Sequence, residues 1–400
     1  MAYAIVDRIR DLIGASSPGL ITVPSDSSSV VASHSNEETK MTNSNERILI
    51  TAGADTHKDT HTVAALDGTG RLLGVAEFAA TAKGYRQVQQ WLENFGEIDC
   101  IGIEGTGSYG AGLARDLTAA SIRVVEVSCP NRQLRRRKGK SDPVDAESAA
   151  RTALAGQALG TPKSQDGPIE AMRLVRVERR SAIKARTQAA NQLHGTLASA
   201  PEPLRRRFRG RTVKMIVKTA STFRISDPLE SLDSTMRYVL RGLAQRWLLL
   251  NEEVGRLDKL LARMVAAVAP QLTEKVGIGA EVASALLVAV GDNPERLTSE
   301  ASFAALCGVS PVDASSGRQR RHRLNRGGNR DANRALWVIA FVRMRCDSRT
   351  KEYTEKRRQE GLSSLEITRC LKRYIARDLF KILRPLAVSQ HIERDLQKAA

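Results

Sequence analysis

The stretch that decides the fold of the first half of the chain is residues 47–79, RILITAGADTHKDTHTVAALDGTGRLLGVAEFA. Its first nine residues form an apolar run that suits a buried strand and ends at Asp55. Two more strand-like segments follow, and the Asp67-Gly68-Thr69-Gly70 segment between them is typical of a hairpin turn. We therefore expect three consecutive strands, of which the last two form a hairpin.

After residue 79 the helical and strand-like patterns alternate. Residues 84–95 have helical spacing, residues 98–104 suit a buried strand, and a helix, a strand and another helix are expected up to residue 158. The order β-β-β-α-β-α-β-α is that of an RNase H-like domain, because a doubly wound sheet would alternate strand and helix from its start. The fold class predicted for the whole chain is this α/β domain followed by an all-α region.

Four carboxylates lie at matching positions in this predicted domain. Asp55 ends the first strand and Glu104 ends the fourth, while Asp142 and Asp145 stand three residues apart at the start of the last helix, on one side of it. The first and fourth strands are neighbours in the RNase H arrangement, so we expect the four acids at one end of the sheet. Such a group could hold two Mg²⁺ ions, or Mn²⁺ in their place. The alternative for each acid taken alone is an ordinary surface carboxylate.

A second motif competes for the same region. Gly105, Gly107 and Gly110 spell GxGxxG after a strand and before a helix, and Glu126 ends the next strand. That pattern is the dinucleotide-binding fingerprint. Three strands precede it here, whereas a Rossmann unit usually opens with it, and a strongly basic chain does not suggest an NAD enzyme. The glycines more simply allow a close backbone approach beside Glu104.

The composition limits the partners. The 62 Lys and Arg against 44 Asp and Glu give a formal net charge of +18, which favours nucleic acid first and an anionic membrane surface second. The chain has no uninterrupted apolar stretch long enough for a membrane span and no secretion signal. Its five scattered cysteines form no CxxC pair and fit a reducing bacterial cytoplasm, where we expect association with the nucleoid. Aromatic residues make up only 4%, which weakens a single-strand binder built on stacked bases.

Two segments concentrate the basic charge. One precedes Asp142, and the other follows a Ser315-Ser316-Gly317 loop. A serine beside clustered guanidinium groups could attack a phosphate, although a polar loop on a basic surface has the same appearance. The expected nucleic-acid contacts are Arg135, Arg136, Arg137, Lys138, Lys140, Arg318, Arg320, Arg321, Arg323 and Arg326.

The remaining segments divide the chain. Residues 1–46 read as a disordered tail, with Met41 as an alternative start, and residues 47–160 form the α/β domain. Residues 161–269 are helical with a basic insert, and apolar residues at intervals of three and four from Leu240 to Val268 predict a coiled-coil seam. Its partner could be the helix predicted over 169–197 or another protomer. Residues 270–400 are helical, and Val276–Gly279 resembles the turn of a helix-hairpin-helix.

These motifs together resemble a known family. GADTHKDTH around Asp55, IEGTGSYG around Glu104, KSDPVDAESAAR around Asp142 and Asp145, and the downstream SSGRQRRHRLNRGGNRDANRAL resemble the DEDD-motif insertion-sequence transposases of the IS110 family. The resemblance covers roughly residues 47–360. It implies a RuvC-like domain, a coiled-coil linker and a helical transposase domain.

The resemblance also implies an activity. Such recombinases act on donor and target DNA, guided by a structured bridge RNA from the element, as homodimers or tetramers. The acidic quartet would bind Mg²⁺, and the serine before the glycine, here Ser316 with Ser315 one residue away, would form a covalent phosphoserine intermediate. Two alternatives stay open: a metal-dependent, junction-resolvase-like nuclease that needs only the four acids, and a nucleic-acid-binding protein with a decayed site.

Overall fold

The structure is a computed structural model that describes residues 48–127, 141–156, 160–225, 230–293, 297–314 and 322–399, with side chains up to residue 384. The predicted tail, residues 1–46, lies outside the described residues. The first half follows the predicted order. Its elements are β1 (Leu49–Thr56), β2 (Thr60–Asp67), β3 (Leu72–Ala79), α1 (Ala82–Glu93), β4 (Glu97–Glu104), α2 (Ala111–Ala119), β5 (Val124–Val127) and α3 (Asp142–Leu154).

The five strands form one mixed sheet in the order β3-β2-β1-β4-β5. The pairs β1–β2 and β2–β3 are antiparallel, whereas β4 runs parallel to both β1 and β5. The predicted hairpin joins β2 to β3, where one carboxylate oxygen of Asp67 accepts hydrogen bonds from the backbone N–H groups of Thr69 and Arg71, both at 2.9 Å. This mixed sheet, followed by a helical region, fits an RNase H-like fold.

Helices cover both faces of the sheet. On one face, Ile50, Ala52 and Ala54 of β1 are fully buried and pack in a cluster with leucines of α1 and α2, including Leu92 and Leu113. These residues of β1 are two apart, as one face of a strand requires. Gly53, between Ala52 and Ala54, lies on the opposite face of the sheet and packs against α3.

The second half of the described chain is almost entirely helical. It contains α4 (Pro168–Ala198), α5 (Glu202–Phe208), α6 (Val213–Ala220), α7 (Leu232–Val268), α8 (Pro270–Thr273), α9 (Ala280–Val290), α10 (Glu300–Leu306), the short strands β6 (Val312–Asp313) and β7 (His322–Arg323), α11 (Arg330–Cys346), α12 (Ser348–Gln359) and α13 (Ser364–Ala399). No helix in these described ranges is long and apolar enough to cross a membrane.

The long helices α4 and α7 pack side by side in opposite directions. Arg179 pairs with Asp258 while Arg186 pairs with Asn251, so residue numbers rise along one helix as they fall along the other. The predicted seam faces this contact, with Leu240, Trp247, Val254, Leu257 and Leu261 all buried. Of the two partners that the heptad pattern allowed, the structure shows α4 of the same chain. Supercoiling of this pair is not confirmed.

The segment predicted as a basic insert contributes a small core of its own. Leu204 and Phe208 of α5 and Ile216 and Val217 of α6 are buried against the ends of α4 and α7, while Arg205, Arg206 and Arg207 are exposed. A third apolar cluster joins α8, α9, α11 and α13, together with Leu261 and Val265 near the end of α7. The domain limits predicted at residues 160 and 269 stay predictions.

A short segment, residues 160–167, connects the sheet to the helical region and contacts both. The side-chain amide of Gln165 donates to the backbone carbonyl of Thr106, just after β4, at 2.5 Å. Asp292, which follows α9, accepts from the backbone N–H groups of Ile169 and Glu170 at 2.9 and 3.1 Å. Asp292 thereby caps the first turn of α4 from a distant part of the chain, since the N-cap, Gly167, has no side chain to do so.

Candidate active site

The site begins with two parallel strands whose carboxyl ends lie together. Residues Ala54 and Ile103 are partners in the β1–β4 ladder, and Asp55 and Glu104 come directly after them. The hydroxyl of Thr56 donates to the carbonyl of Glu104 at 2.8 Å and ties the two strand ends together. The sequence-predicted pair of acids is therefore placed on neighbouring strand ends.

The face on which these acids lie follows from two glycines. Gly53 and Gly102 are also partners in the ladder, and both face α3. A Cβ at Gly53 would lie 2.1 Å from the backbone nitrogen of Ala150, and one at Gly102 would lie 2.8 Å from the carbonyl oxygen of Ala149. Because side chains two residues apart share a face of a strand, Asp55 and Glu104 are directed to the α3 side as well.

The start of α3 brings the other two acids to the same edge. Ser141 is the N-cap, Asp142 is the first helical residue, and Asp145 is 2% exposed. Ligand oxygens of Asp55 and Asp142 and a ring nitrogen of His57 all lie within 4.8 Å of one another. Asp145 and Glu104 are not part of that three-residue group.

The electrostatic environment of Asp55 includes two of the other acids, Asp145 and Asp142. Burial raises the pKa of the Asp55 carboxyl, His57 opposes this change, and the carboxylates of Asp145 and Asp142 raise the pKa further. A carboxyl that faces two others is stabilised in its charged form by a cation. The site therefore has the chemistry of a divalent-cation site.

His57 is the residue that the sequence analysis missed. Its Nδ1 lies 3.7 Å from Oδ2 of Asp142, and its side chain is half exposed. It follows Asp55 by two residues and lies just beyond the end of β1. The sequence contains the Asp-x-His spacing in GADTHKDTH. This spacing indicates a metal site only once the end of β1 is known to lie beside other acidic residues.

The glycine-rich loop after β4 shapes the edge of the site. Gly105 has a φ of +73°, and a Cβ on Gly110 would lie 2.9 Å from a methyl group of Ile103. The loop follows the fourth strand of a sheet that begins with three antiparallel strands. It thus permits close packing beside Glu104, as expected, and does not occupy the position of a Rossmann fingerprint.

Several predicted site residues lie outside the described part of the chain. They are Arg135, Arg136, Arg137, Lys138 and Lys140, which precede α3, and Ser315, Ser316, Arg318, Arg320 and Arg321, which lie between β6 and β7. Of the predicted nucleic-acid contacts, Arg323 and Arg326 are described, and both are exposed.

The described residues before and after Ser315 and Ser316 contact each other closely. Gly308 and Gly328 cross in close contact: a Cβ on Gly328 would lie 2.4 Å from the backbone nitrogen of Gly308, and the N–H of Asn329 donates to the carbonyl of Leu306. Asn333 donates to the carbonyls of Cys307 and Gly308 and accepts from the ammonium of Lys372 at 2.7 Å. Burial lowers the pKa of that lysine.

A basic cleft of about 860 Å³ opens beside β7. Helices α12 and α13 form one side of this cleft. Some of its guanidinium groups form ion pairs with glutamates; Glu300, for example, pairs with Arg373 and Arg377. The basic groups that line it are His322, Arg323, Arg357, Arg369, Lys372, Arg373 and Arg377. Of these residues, the sequence predicted Arg323 as a nucleic-acid contact but not the arginines of α12 and α13, because only the fold brings those helices beside β7.

The first half of the described chain has the features of an RNase H-like domain of the DEDD type, and a helical domain follows it. These features are the order of the strands in the sheet, the acids at the carboxyl ends of β1 and β4, and the start of α3 beside them. Two family profiles match the chain: the DEDD profile of IS110, described as a transposase, over residues 52–200, and the profile described as transposase IS116/IS110/IS902 family over residues 269–355. The chain belongs to the IS110 family of transposases.

A relative from Streptomyces coelicolor strain A3(2) gives the same assignment. The protein described as "Insertion element IS110 uncharacterized 43.6 kDa protein" is 29% identical over 200 residues. The aligned part covers 46% of this chain and 49% of the relative, so the chain spans about half the length of the curated protein that it matches.

Proposed function

We propose that this protein is a transposase that cuts and rejoins DNA strands. The observation that carries the proposal is the meeting of β1 and α3, where Asp55, His57 and Asp142 offer ligand atoms within 4.8 Å of one another and Asp145 raises the pKa of Asp55. The family to which the chain belongs supports DNA as the substrate, and the net charge of +18 supports a polyanionic one.

Asp55, Glu104, Asp142 and Asp145 are the residues that would hold Mg²⁺, with Mn²⁺ as a substitute. Carboxylate oxygens are the ligands that Mg²⁺ prefers, and the mutual repulsion of these acids fits a bound cation. When bound, such ions stabilise the charge that develops on the attacking and leaving oxygens of a phosphodiester. His57 would orient Asp142 or complete the ligand set.

Ser316 is the proposed nucleophile. Its hydroxyl oxygen forms a bond to phosphorus while the bond from phosphorus to a deoxyribose oxygen breaks; the serine gives up its proton, and the departing oxygen gains one. A hydroxyl of a second strand then attacks the phosphoserine, which rejoins the DNA and frees the serine. The basic cleft beside β7 would hold the phosphates, because guanidinium groups stabilise the charge of the pentavalent phosphorus.

Guidance and assembly are parts of the same proposal. A structured bridge RNA encoded by the element would pair with donor and target DNA, and the protein would act as a dimer or tetramer in the cytoplasm, associated with the nucleoid. The RNA that copurifies with the protein tests this part: a discrete species encoded by the element is expected, and bulk cellular RNA alone would contradict it.

The second candidate is a metal-dependent nuclease that needs only the acids. A cleavage and exchange assay on element DNA with Mg²⁺ separates the two. We expect Asp55→Ala and Ser316→Ala each to lower strand exchange by about a thousandfold or more. Full cleavage by Ser316→Ala would favour the nuclease, and full exchange by Asp55→Ala would leave only a binding protein.

A further inference from the structure

One face of α11 carries five exposed residues in a single line. Arg330, Arg334, Trp337, Phe341 and Arg345 follow one another at intervals of four, three, four and four, and all five are exposed. We call this line the α11 stripe. It runs for about 22 Å along the helix. The opposite face of α11 is buried in the core of the helical region through Leu336, Ile339 and neighbouring alanines.

The two aromatic rings of the stripe are stacked in solvent. The ring centroids of Trp337 and Phe341 are 5.3 Å apart, with planes 14° from parallel, and the two side chains are 46% and 42% exposed. The guanidinium of Arg345 lies 4.8 Å from the centroid of Phe341. Exposing this much stacked aromatic surface calls for a ligand that covers it.

The charge of the stripe selects the ligand. Its three arginines have no acid among them, and the nearby Asp331 is engaged by Arg180 on α4. A second copy of this chain that paired through the same stripe would place arginines against arginines. A duplex keeps its bases stacked inside. An unpaired strand offers both base faces for the rings and phosphates for the arginines.

We infer that the α11 stripe binds an unpaired nucleic-acid strand by base stacking on Trp337 and Phe341. The stripe begins two residues after Gly328, which is in close contact with Gly308. This inference rests on the proposed action on DNA and adds the strand form that the helical domain takes.

Binding of the full-length protein to labelled dT15 and to a duplex of the same length tests the inference. We expect the Trp337→Ala, Phe341→Ala double variant to bind dT15 at least about fivefold more weakly and the duplex with less than a twofold change. Tyr238→Ala, which removes an aromatic ring that is 55% exposed on α7, is the matched control and should leave both affinities unchanged.

Tryptophan fluorescence gives a second measurement on the folded protein. Of the three tryptophans, Trp337 alone is exposed, so its stacking on a base should quench the signal when dT15 binds. Trp337→Phe should bind normally without that quenching. If the double variant bound both dT15 and the duplex as the wild-type protein does, the inference about the α11 stripe would be overturned while the proposed function would stand. An equal loss of affinity for both probes would have the same consequence. A wild-type protein that bound neither probe would overturn the proposed function too.

Discussion

At the scale of single residues, Asp142 is the proposed metal ligand whose role can be tested without DNA. It lies at the start of α3, within reach of Asp55 and His57. We expect Mg²⁺ to raise the melting temperature of the wild-type protein, because an ion that binds only the folded state stabilises it. Asp142→Asn should abolish that increase and leave the metal-free protein at least as stable, since one of three repelling carboxylates is gone.

The control for this prediction is Glu355→Gln, which neutralises an exposed acid on α12. It should retain the full Mg²⁺-dependent increase in melting temperature. If Asp142→Asn kept the increase as well, the acids at the end of β1 and the start of α3 would not form the metal site.

His61 makes a prediction about pH. It is fully buried on β2, and its ring stacks on that of Tyr85 with centroids 5.7 Å apart. Neither of its ring nitrogens has a hydrogen-bond partner among the described residues. Burial lowers its pKa from the ordinary value near 6.5. The folded state therefore binds the proton less well than the unfolded state, and stability that is complete above pH 6.5 is lost as the pH falls below it.

Unfolding by denaturant between pH 7.5 and 5 measures this loss. The free energy of unfolding should fall by up to about 1.4 kcal/mol per pH unit below 6.5 through this group. His61→Leu should reduce the slope, whereas the exposed His194→Leu on α4 should not. Equal slopes for His61→Leu and wild type would show that His61 does not titrate in this way.

At the scale of elements, the contact of α3 with the sheet depends on Gly53. A Cβ there would lie 2.1 Å from the backbone nitrogen of Ala150 and 2.4 Å from the carbonyl of Ala146, so the whole helix would have to move. We expect Gly53→Ala to destabilise the protein by about 1–3 kcal/mol. It should also weaken Mg²⁺ binding, because α3 carries Asp142 and Asp145.

Gly68→Ala is the matched control for Gly53→Ala. A Cβ at Gly68, in the β2–β3 turn, would meet no atom of the described residues within 4 Å. Denaturant unfolding should show little change for this variant, and its Mg²⁺-dependent stabilisation should stay intact. A tolerated Gly53→Ala substitution with normal metal binding would contradict the packing argument.

Much of this element-scale arrangement could be predicted from the sequence, and the reasons are local. The order of strands and helices along the chain followed from apolar runs, a hairpin turn and helical spacing, and each of these signals lies within a few residues. The partner of α7 could not be predicted, because a heptad pattern marks a face to be buried without naming what buries it. The arginines of the basic cleft and the α11 stripe were missed for a similar reason: whether a residue is exposed depends on which face of its helix packs.

At the scale of the whole molecule, the acids and the serine raise the question of whether one chain contains a complete site. A serine nucleophile and a metal-binding acidic group rarely serve one reaction in one protomer, so we propose that the serine of one subunit completes the acidic site of another. A mixture of Ser316→Ala and Asp142→Ala chains should then regain strand exchange, because some of the mixed sites combine two intact halves. Mixtures no more active than either variant alone would count against a shared site.

The measurement that tests the central claim most directly is the trapping of a covalent protein–DNA adduct on a denaturing gel. With Mg²⁺, element DNA and the RNA encoded by the element, the wild-type protein and Ser315→Ala should form the adduct, and Ser316→Ala and Asp142→Asn should not. This result would place the nucleophile at Ser316 and make it dependent on the acids. DNA cut by wild type and by Ser316→Ala alike, with no adduct from either, would contradict the account and assign the cutting to the acids alone.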